Sequence, residues 1–460
     1  YSPTKQISKG QQNTFNGGYL FLQKLYHELG LHNICNSITK KHNFTYDLNA
    51  VLSRLLYGRI IFPASKLATH KLSSTFLEQP NFELQHVYRA LEVIAKESDF
   101  IQAELYKNSL KLSKRNTGVL YYDCTNYFFE IEQEEGLKQY GYSKEHKPNP
   151  IVQMGLFMDA DGIPLAFNIQ KGNTNEQVTL TPLEQRIIDD YKLSRFVVCT
   201  DAGLASTANR KFNDQGERAF ITTQSLKKLK KHLTQWALEP NQWQLLGSDK
   251  SYNLHDVDPE TFEDKIFYKQ RWIKEDGLEQ NLIVSFSFKY QNYQRAIRNA
   301  QVERAERVIK SNPTKLKKSS PNDYKRFIKT TSVTEEGEIA NHNIHDINEE
   351  TIAKEEAFDG FYAVCTNLED DAESIIEINR KRWEIEECFR IMKTEFKARP
   401  VYLSKDDRIA AHFTTCFLSL VLFRYLEKRL EKQYTSHDLV ECLRDFNFLE
   451  ILGDGYVPAY

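Results

Sequence analysis

The chain has 460 residues, 40% hydrophobic and 27% charged, with a formal net charge of −2. Such values describe a globular protein with room for two to four domains and exclude a disordered or collagen-like chain. The longest apolar stretch of the C-terminal third, within Cys416–Phe423, is too short to span a bilayer.

The opening residues show no basic, apolar and small-residue leader, and Tyr1 at the first position is read as a processed chain or a fragment. Seven scattered cysteines without a CxxC pair predict a reducing, cytoplasmic compartment and no disulfide framework. The near-zero net charge hides local segregation. From Lys289 to Lys329 there are twelve Lys and Arg against three acids, and Glu335–Asp359 reverses this with nine acids and one Lys. The basic stretch is either a solvated surface or an arm that contacts phosphates.

In chain order, residues 1–115 read as a helical N-terminal domain, accessory or DNA-binding, with amphipathic segments at Gly18–Leu29, Leu48–Tyr57 and His86–Glu97. At Gly118 the period changes. Gly118–Glu130, Val152–Met158 and Pro164–Gln170 read as three strands, the last two joined by the turn Asp159–Gly162. Gln177–Tyr191 has helical spacing, Phe196–Asp201 returns to strand, Ala205–Asn213 is a short helix and Arg218–Thr223 a closing strand. Three strands, a helix, a strand, a helix and a strand are the order of an RNase H-like α/β core, here residues 116–223.

Residues 224–360 break the pattern and are expected to form a β-rich insertion, with strands at Ile266–Ile273 and Asn281–Tyr290 and a basic helix at Tyr293–Lys310 followed by a loop rich in Ser, Pro and Lys. The core resumes over 361–432 with a strand at Gly360–Thr366, a long helix carrying Glu386, and a buried helix at Asp406–Glu431. A helical segment, 433–460, is expected to end the chain.

Three acids stand in informative contexts. Asp123 closes the apolar run Val119–Tyr122, Asp201 closes Phe196–Thr200, and both are read as carboxylates carried out of a buried strand. Glu386 lies on a helix where Ile378, Ile385, Phe389, Met392 and Phe396 form an apolar stripe, and Asn379, Arg382, Glu386 and Lys393 form a polar stripe beside it. Such a stripe at the rim of the core suits a cleft. Three converging carboxylates repel one another unless a cation is bound. The hard oxygen-liganded ions Mg²⁺ or Mn²⁺, two of them, fit that need and point to phosphodiester chemistry. The bland reading of Glu386 alone is a surface pair with Arg382. Asp159 and Asp161 are assigned to a hairpin turn, and His146 to a loop that is either solvated or in contact with DNA.

With these residues in place the chain resembles the DDE transposases of bacterial insertion sequences, in the insertion-sequence-four superfamily with its YREK signature (Tyr, two residues, Arg, three, Glu, six, Lys). The signature falls on Asn379, Arg382, Glu386 and Lys393, with Asn in place of Tyr. Further matches are Tyr122–Thr125, Gly141–Lys144 with His146–Pro148, Gly172–Glu176, Asp201–Leu204 and Ala363–Asn367. The acids are 78 and 185 residues apart, the longer gap being the one that holds the family's β-rich insertion.

The resemblance implies that Asp123, Asp201 and Glu386 bind metal, and that Arg382, Lys393 and the Asn379 position contact the transposon end. It further implies cleavage at terminal inverted repeats, transfer of the 3′-hydroxyl to target double-stranded DNA, a homodimer in the synaptic complex, no membrane, and a bacterial cytoplasmic setting. Trp272 is either a base-stacking residue, as in family members that form a DNA hairpin, or a core residue of its strand. The rival readings are a catalytically silent DNA-binding descendant and a structure-selective nuclease on the same core.

Overall fold

The computed structural model describes residues 13–248, 250–311, 316, 322–333, 342–451 and 455–459. Most of the expected Ser/Pro/Lys-rich loop and the first part of the acidic stretch, 335–341, lie outside the described residues.

The elements begin with β1 (Thr14–Asn16), α1 (Tyr19–Glu28), α2 (Leu31–His42), α3 (Leu48–Ile61), α4 (Lys66–Leu72), α5 (Leu84–Lys96) and α6 (Ser98–Leu112). There follow β2 (Val119–Phe128), β3 (Ile151–Asp159), β4 (Pro164–Lys171), α7 (Leu180–Tyr191), β5 (Val197–Thr200), α8 (Thr207–Phe212) and β6 (Ala219–Thr223). Next come α9 (Lys231–Leu238), β7 (Trp243–Leu245), β8 (Ser251–Tyr252), β9 (Phe267–Glu275), β10 (Leu278–Phe286), α10 (Phe288–Lys310), β11 (Ile328–Val333), β12 (His342–Ile347) and α11 (Glu349–Glu356). The chain continues through β13 (Phe361–Thr366), α12 (Ala372–Arg380), α13 (Trp383–Thr394), α14 (Asp406–Arg429) and α15 (Ser436–Asp445) to β14 (Asn447–Ile451) and β15 (Gly455–Ala459). The protein is thus a mixed α/β structure. It divides into two compact units, one of residues 1–220 and 378–460 and one of residues 221–377. The expected insertion, 224–360, falls inside the second.

In the first unit, β4, β3 and β2 are antiparallel neighbours, and β2 is joined on its other side by the parallel β5. The crossover helix α7 packs on the even-numbered face of β2, where Tyr122 and Cys124 join Leu183, Ile187, Phe196 and Val198 in one buried cluster. Both faces of β2 are therefore covered, which is why its sequence runs apolar without alternation.

Helix α14 is buried nearly all round, and α1, α3, α5 and β4 pack against it. Its length and hydropathy would suit a membrane span, but 94% of that apolar window is buried inside the protein. Each fully buried Leu or Phe there contributes about 1.5–3 kcal/mol. Helix α3 is fixed at its start by Asp47, whose side chain accepts from the Ala50 amide at 2.9 Å.

The chain end differs from the expected helical segment. After α15 the chain turns into β14 and β15, and β14 pairs with β1. The partner of this strand lies more than 400 residues away in sequence, so no local period announces it.

In the second unit, β13 pairs with Ile221–Thr223 of β6 and with β10, which forms a hairpin with β9. That hairpin turns on Asp276-Gly277, both with positive φ (53° and 76°), the conformation a two-residue turn demands. Trp243 of β7 is fully buried beneath the Lys269 ammonium, 4.6 Å from its ring centre. Arg298 of α10 is buried against Asp359 at 2.7 Å and Glu356 at 3.1 Å.

Candidate active site

Asp123 does not close its strand. Strand β2 continues to Phe128 because β3 stays paired along it as far as Phe128 opposite Ile151. The strand that ends is β5, whose ladder joins Val119, Leu120 and Tyr121 to Val197, Val198 and Cys199. Two residues further in the same register, Asp123 comes level with Asp201, on the face that carries Tyr121 and Cys199. Asp123 thus sits where the parallel neighbour has left and the sheet opens. Asp201 starts a turn in which its Oδ1 accepts the Leu204 amide at 3.1 Å. A side chain on Gly203 would come within 3.3 Å of the Asp201 carboxylate.

The same odd-numbered face of β2 is tracked by α12 and α13. The Tyr121 hydroxyl donates to the Ile378 carbonyl at 2.9 Å, and Cys199 lies 3.8 Å from Oδ1 of Asn379. Further along, the Tyr127 hydroxyl reaches Met392 Sδ at 3.7 Å, and the Lys393 ammonium sits 5.5 Å from the Tyr127 ring centre. Glu386 lies between these two anchor points.

One long helix was expected here, and the structure has two. They are joined across Lys381 and Arg382 by three-residue hydrogen bonds, from Lys381 to Ile378 at 3.2 Å and from Arg382 to Asn379 at 3.3 Å. This tighter winding of three residues per turn breaks the single polar stripe. Asn379 is buried, Arg382 half-buried and Glu386 exposed, while Ile385, Phe389, Met392 and Phe396 keep the expected core stripe. The start of α13 is held by Glu384, paired at 2.8 Å with the buried Arg424 of α14 and at 2.8 Å with Lys432.

Electrostatically, Asp123 is strongly perturbed. Burial pushes its carboxyl up to about 6; the Asp201 charge adds to the rise, while Lys144, the Cys124 amide (2.7 Å) and Arg382 oppose it. Lys144 is lowered by its own burial, but Asp123 and Glu176 outweigh that and hold it above the usual lysine range. Its ammonium donates to the Cys124 carbonyl and pairs with Glu176 at 3.3 Å. Two of the motifs noted in sequence, Gly141–Lys144 and Gly172–Glu176, thereby meet beside Asp123. Lys144 is the residue that sequence reasoning quoted without giving it a role.

The structure therefore brings Asp123, Asp201, Arg382 and Lys144 together. Glu386 stays on the exposed first turn of α13, and among the described residues no three His, Cys, Asp or Glu gather closely enough to hold a metal ion. Lys393 is turned to Glu145 at 3.2 Å, which also pairs with Arg399 at 2.9 Å. Trp272, in the second unit, is 45% exposed and so is not a core residue of its strand. Asp159 is buried as the Arg115 partner and organises its turn by accepting the amides of Asp161 and Ile163 at 3.1 and 2.9 Å. His146 is exposed with φ of 56°.

Residues 287–422 match the family model described as Transposase DDE domain. The matched span holds Arg382, Glu386 and Lys393. No curated protein matches the chain in sequence. Among solved structures, the chain is similar to piggyBac transposase in a synaptic complex with hairpin DNA. That match has 8% identity and a TM-score of 0.43, over 95% of this chain and 82% of that one. It is also similar to Mos1 transposase in a paired-end complex with the left transposon end (11% identity, TM-score 0.16, 33% and 52% of the two chains). The Mos1 mariner paired-end complex with Mn gives 14% identity and a TM-score of 0.15, over 36% and 55%.

Proposed function

We propose that the chain is a DNA transposase that cleaves transposon ends and joins the freed 3′-hydroxyl to target DNA on an RNase H-like core. The observation that carries this reading is the Asp123–Asp201 pair, Asp123 on β2 and Asp201 just past the end of its parallel neighbour β5, flanked by Arg382 and Lys144. Two carboxylates on one face suit a hard divalent cation, which would offset the burial and the Asp201 repulsion that raise the Asp123 carboxyl. Asp123 and Asp201, with Glu386 from α13, would hold two Mg²⁺ or Mn²⁺ ions, which when bound would supply activation of the attacking oxygen and stabilisation of the leaving one.

The chain's own cations do the positioning. Arg382, half-buried at the break between α12 and α13, and Lys144 complement a phosphodiester at the acid pair. Lys393 would contact the phosphates of the transposon end after leaving Glu145, whereas Asn379, expected to contact DNA, is buried with its Oδ1 3.8 Å from Cys199. Trp272 is exposed as a stacking residue for a flipped base requires. Successive attack by water and by a DNA 3′-hydroxyl needs no covalent protein intermediate. Joining two ends in one complex calls for a homodimer on terminal inverted repeats, in a bacterial cytoplasm.

The test is cleavage of an end-bearing duplex in Mg²⁺ by Asp123→Ala, Asp201→Ala and Glu386→Ala. Loss of cleavage with DNA binding retained is expected, and persistent cleavage refutes the assignment. The exposed position of Glu386 favours one second reading, a DNA-binding descendant without catalysis. Metal-dependent nicking by the unaltered protein excludes it.

A further inference from the structure

In the first unit, a cavity of about 290 Å³ lies beside the segment that follows α13. It is lined by four cations, Arg59, Lys66, Lys397 and Arg399, and by His412, with no Asp or Glu among its lining residues, although Arg399 is paired with Glu145 at 2.9 Å. Two of those cations are almost fully enclosed, Arg59 at 5% exposure and Lys66 at 5%.

Arg59 spends two donors on the carbonyls of Phe396 and Ala64, both at 3.1 Å, and its Nε has no partner. The Lys66 ammonium has no hydrogen-bond or ion-pair partner among the described residues; its charged neighbour is Arg59, of the same sign. Burial first, then Arg59, pulls Lys66 down to about 7. A lysine buried beside an arginine without a counter-ion gives up its proton near neutral pH, and keeps its charge when something anionic completes the site.

We propose that this cavity binds a phosphate-type oxyanion, and that its source is a backbone phosphate of DNA. The oxyanion itself follows from the cation set. Assigning it to DNA rests on the transposase reading and on location. Val401, which lines the cavity, bridges to Phe129, the residue after β2. Six residues of extended chain from Asp123 to Phe129 span about 20 Å, the rise of about six nucleotides of one strand. The cavity would thus grip the end roughly half a helical turn from the scissile phosphate. Tyr402, 73% exposed on the lining, offers a ring to sugar or base at the rim.

Lys66→Met, with Lys66→Gln as a second variant, removes the buried ammonium. The first readout is thermal denaturation in inorganic phosphate against sodium chloride of equal ionic strength. Saturable protection of the unaltered protein that both variants lose is expected, and protection equal in all three, or absent from all, overturns the site. The second is duplex binding against salt, where losing one phosphate contact lowers the slope of log K against log salt by about 0.9. An unchanged slope beside lost phosphate protection overturns DNA as the source and leaves a site for a free oxyanion. Absence of cleavage by the unaltered protein would defeat the transposase reading, while Lys66-dependent phosphate protection would still support the site.

Discussion

Replacing Asp123 with Asn is expected to stabilise the protein while abolishing strand cleavage. The carboxyl stands at about 6 instead of its ordinary 3.8 because burial disfavours its charge and Asp201 repels it. A group raised by the fold adds stability in full below pH 3.8, and that stability is lost as pH climbs through 6. The charged form above pH 6 is therefore strained by about 3 kcal/mol. Asn carries no charge and its Oδ1 can still accept the Cys124 amide. The gain over the unaltered protein should be near zero at pH 4 and reach up to about 3 kcal/mol at pH 8. Urea denaturation in EDTA at both values reads it. A gain independent of pH, or none at pH 8, refutes the electrostatic account. Adding Mg²⁺ should then narrow the difference, because a cation bound to the native carboxylate stabilises the aspartate form alone. An unchanged difference in saturating Mg²⁺ would mean that Asp123 holds no cation.

Other perturbations test the surroundings. Lys144→Met removes a cation that holds the Asp123 carboxyl down, so the acid limb of the cleavage rate should move to higher pH; an unmoved pH–rate profile would show that Lys144 does not act on Asp123. Arg424→Met strands the buried ends of Glu384 and Glu427 and should cost about 3–5 kcal/mol in urea denaturation, with a loss under 1 kcal/mol contradicting the anchoring of α13. Trp272→Ala should change stability by less than about 0.5 kcal/mol, as an exposed side chain does, while reducing any step that needs a flipped base in a hairpin-forming assay.

Much of the element order was legible because it is local. The change of period at Gly118, the turn at Asp159–Gly162 and the all-round apolar α14 announce themselves within a few residues. What escaped was set by distant partners. Asp123 looked like a strand end because its charge interrupts an apolar run, yet β3 pairs past it, and it is β5 that stops. The break at Lys381-Arg382 holds no Pro or Gly, so a helical pattern runs straight through it. Lys144 reaches Asp123 from a loop that precedes β3, a proximity that only the folded chain shows. The β1–β14 pairing joins segments too short and too far apart for any window to see.

The discontinuity of the first unit bears on how the protein is made. Helix α14, on which α1, α3 and α5 rest, is translated only after the whole second unit has been translated. The N-terminal helices must wait as an open nascent assembly for their central rod, whereas residues 221–377 are contiguous and free to consolidate first.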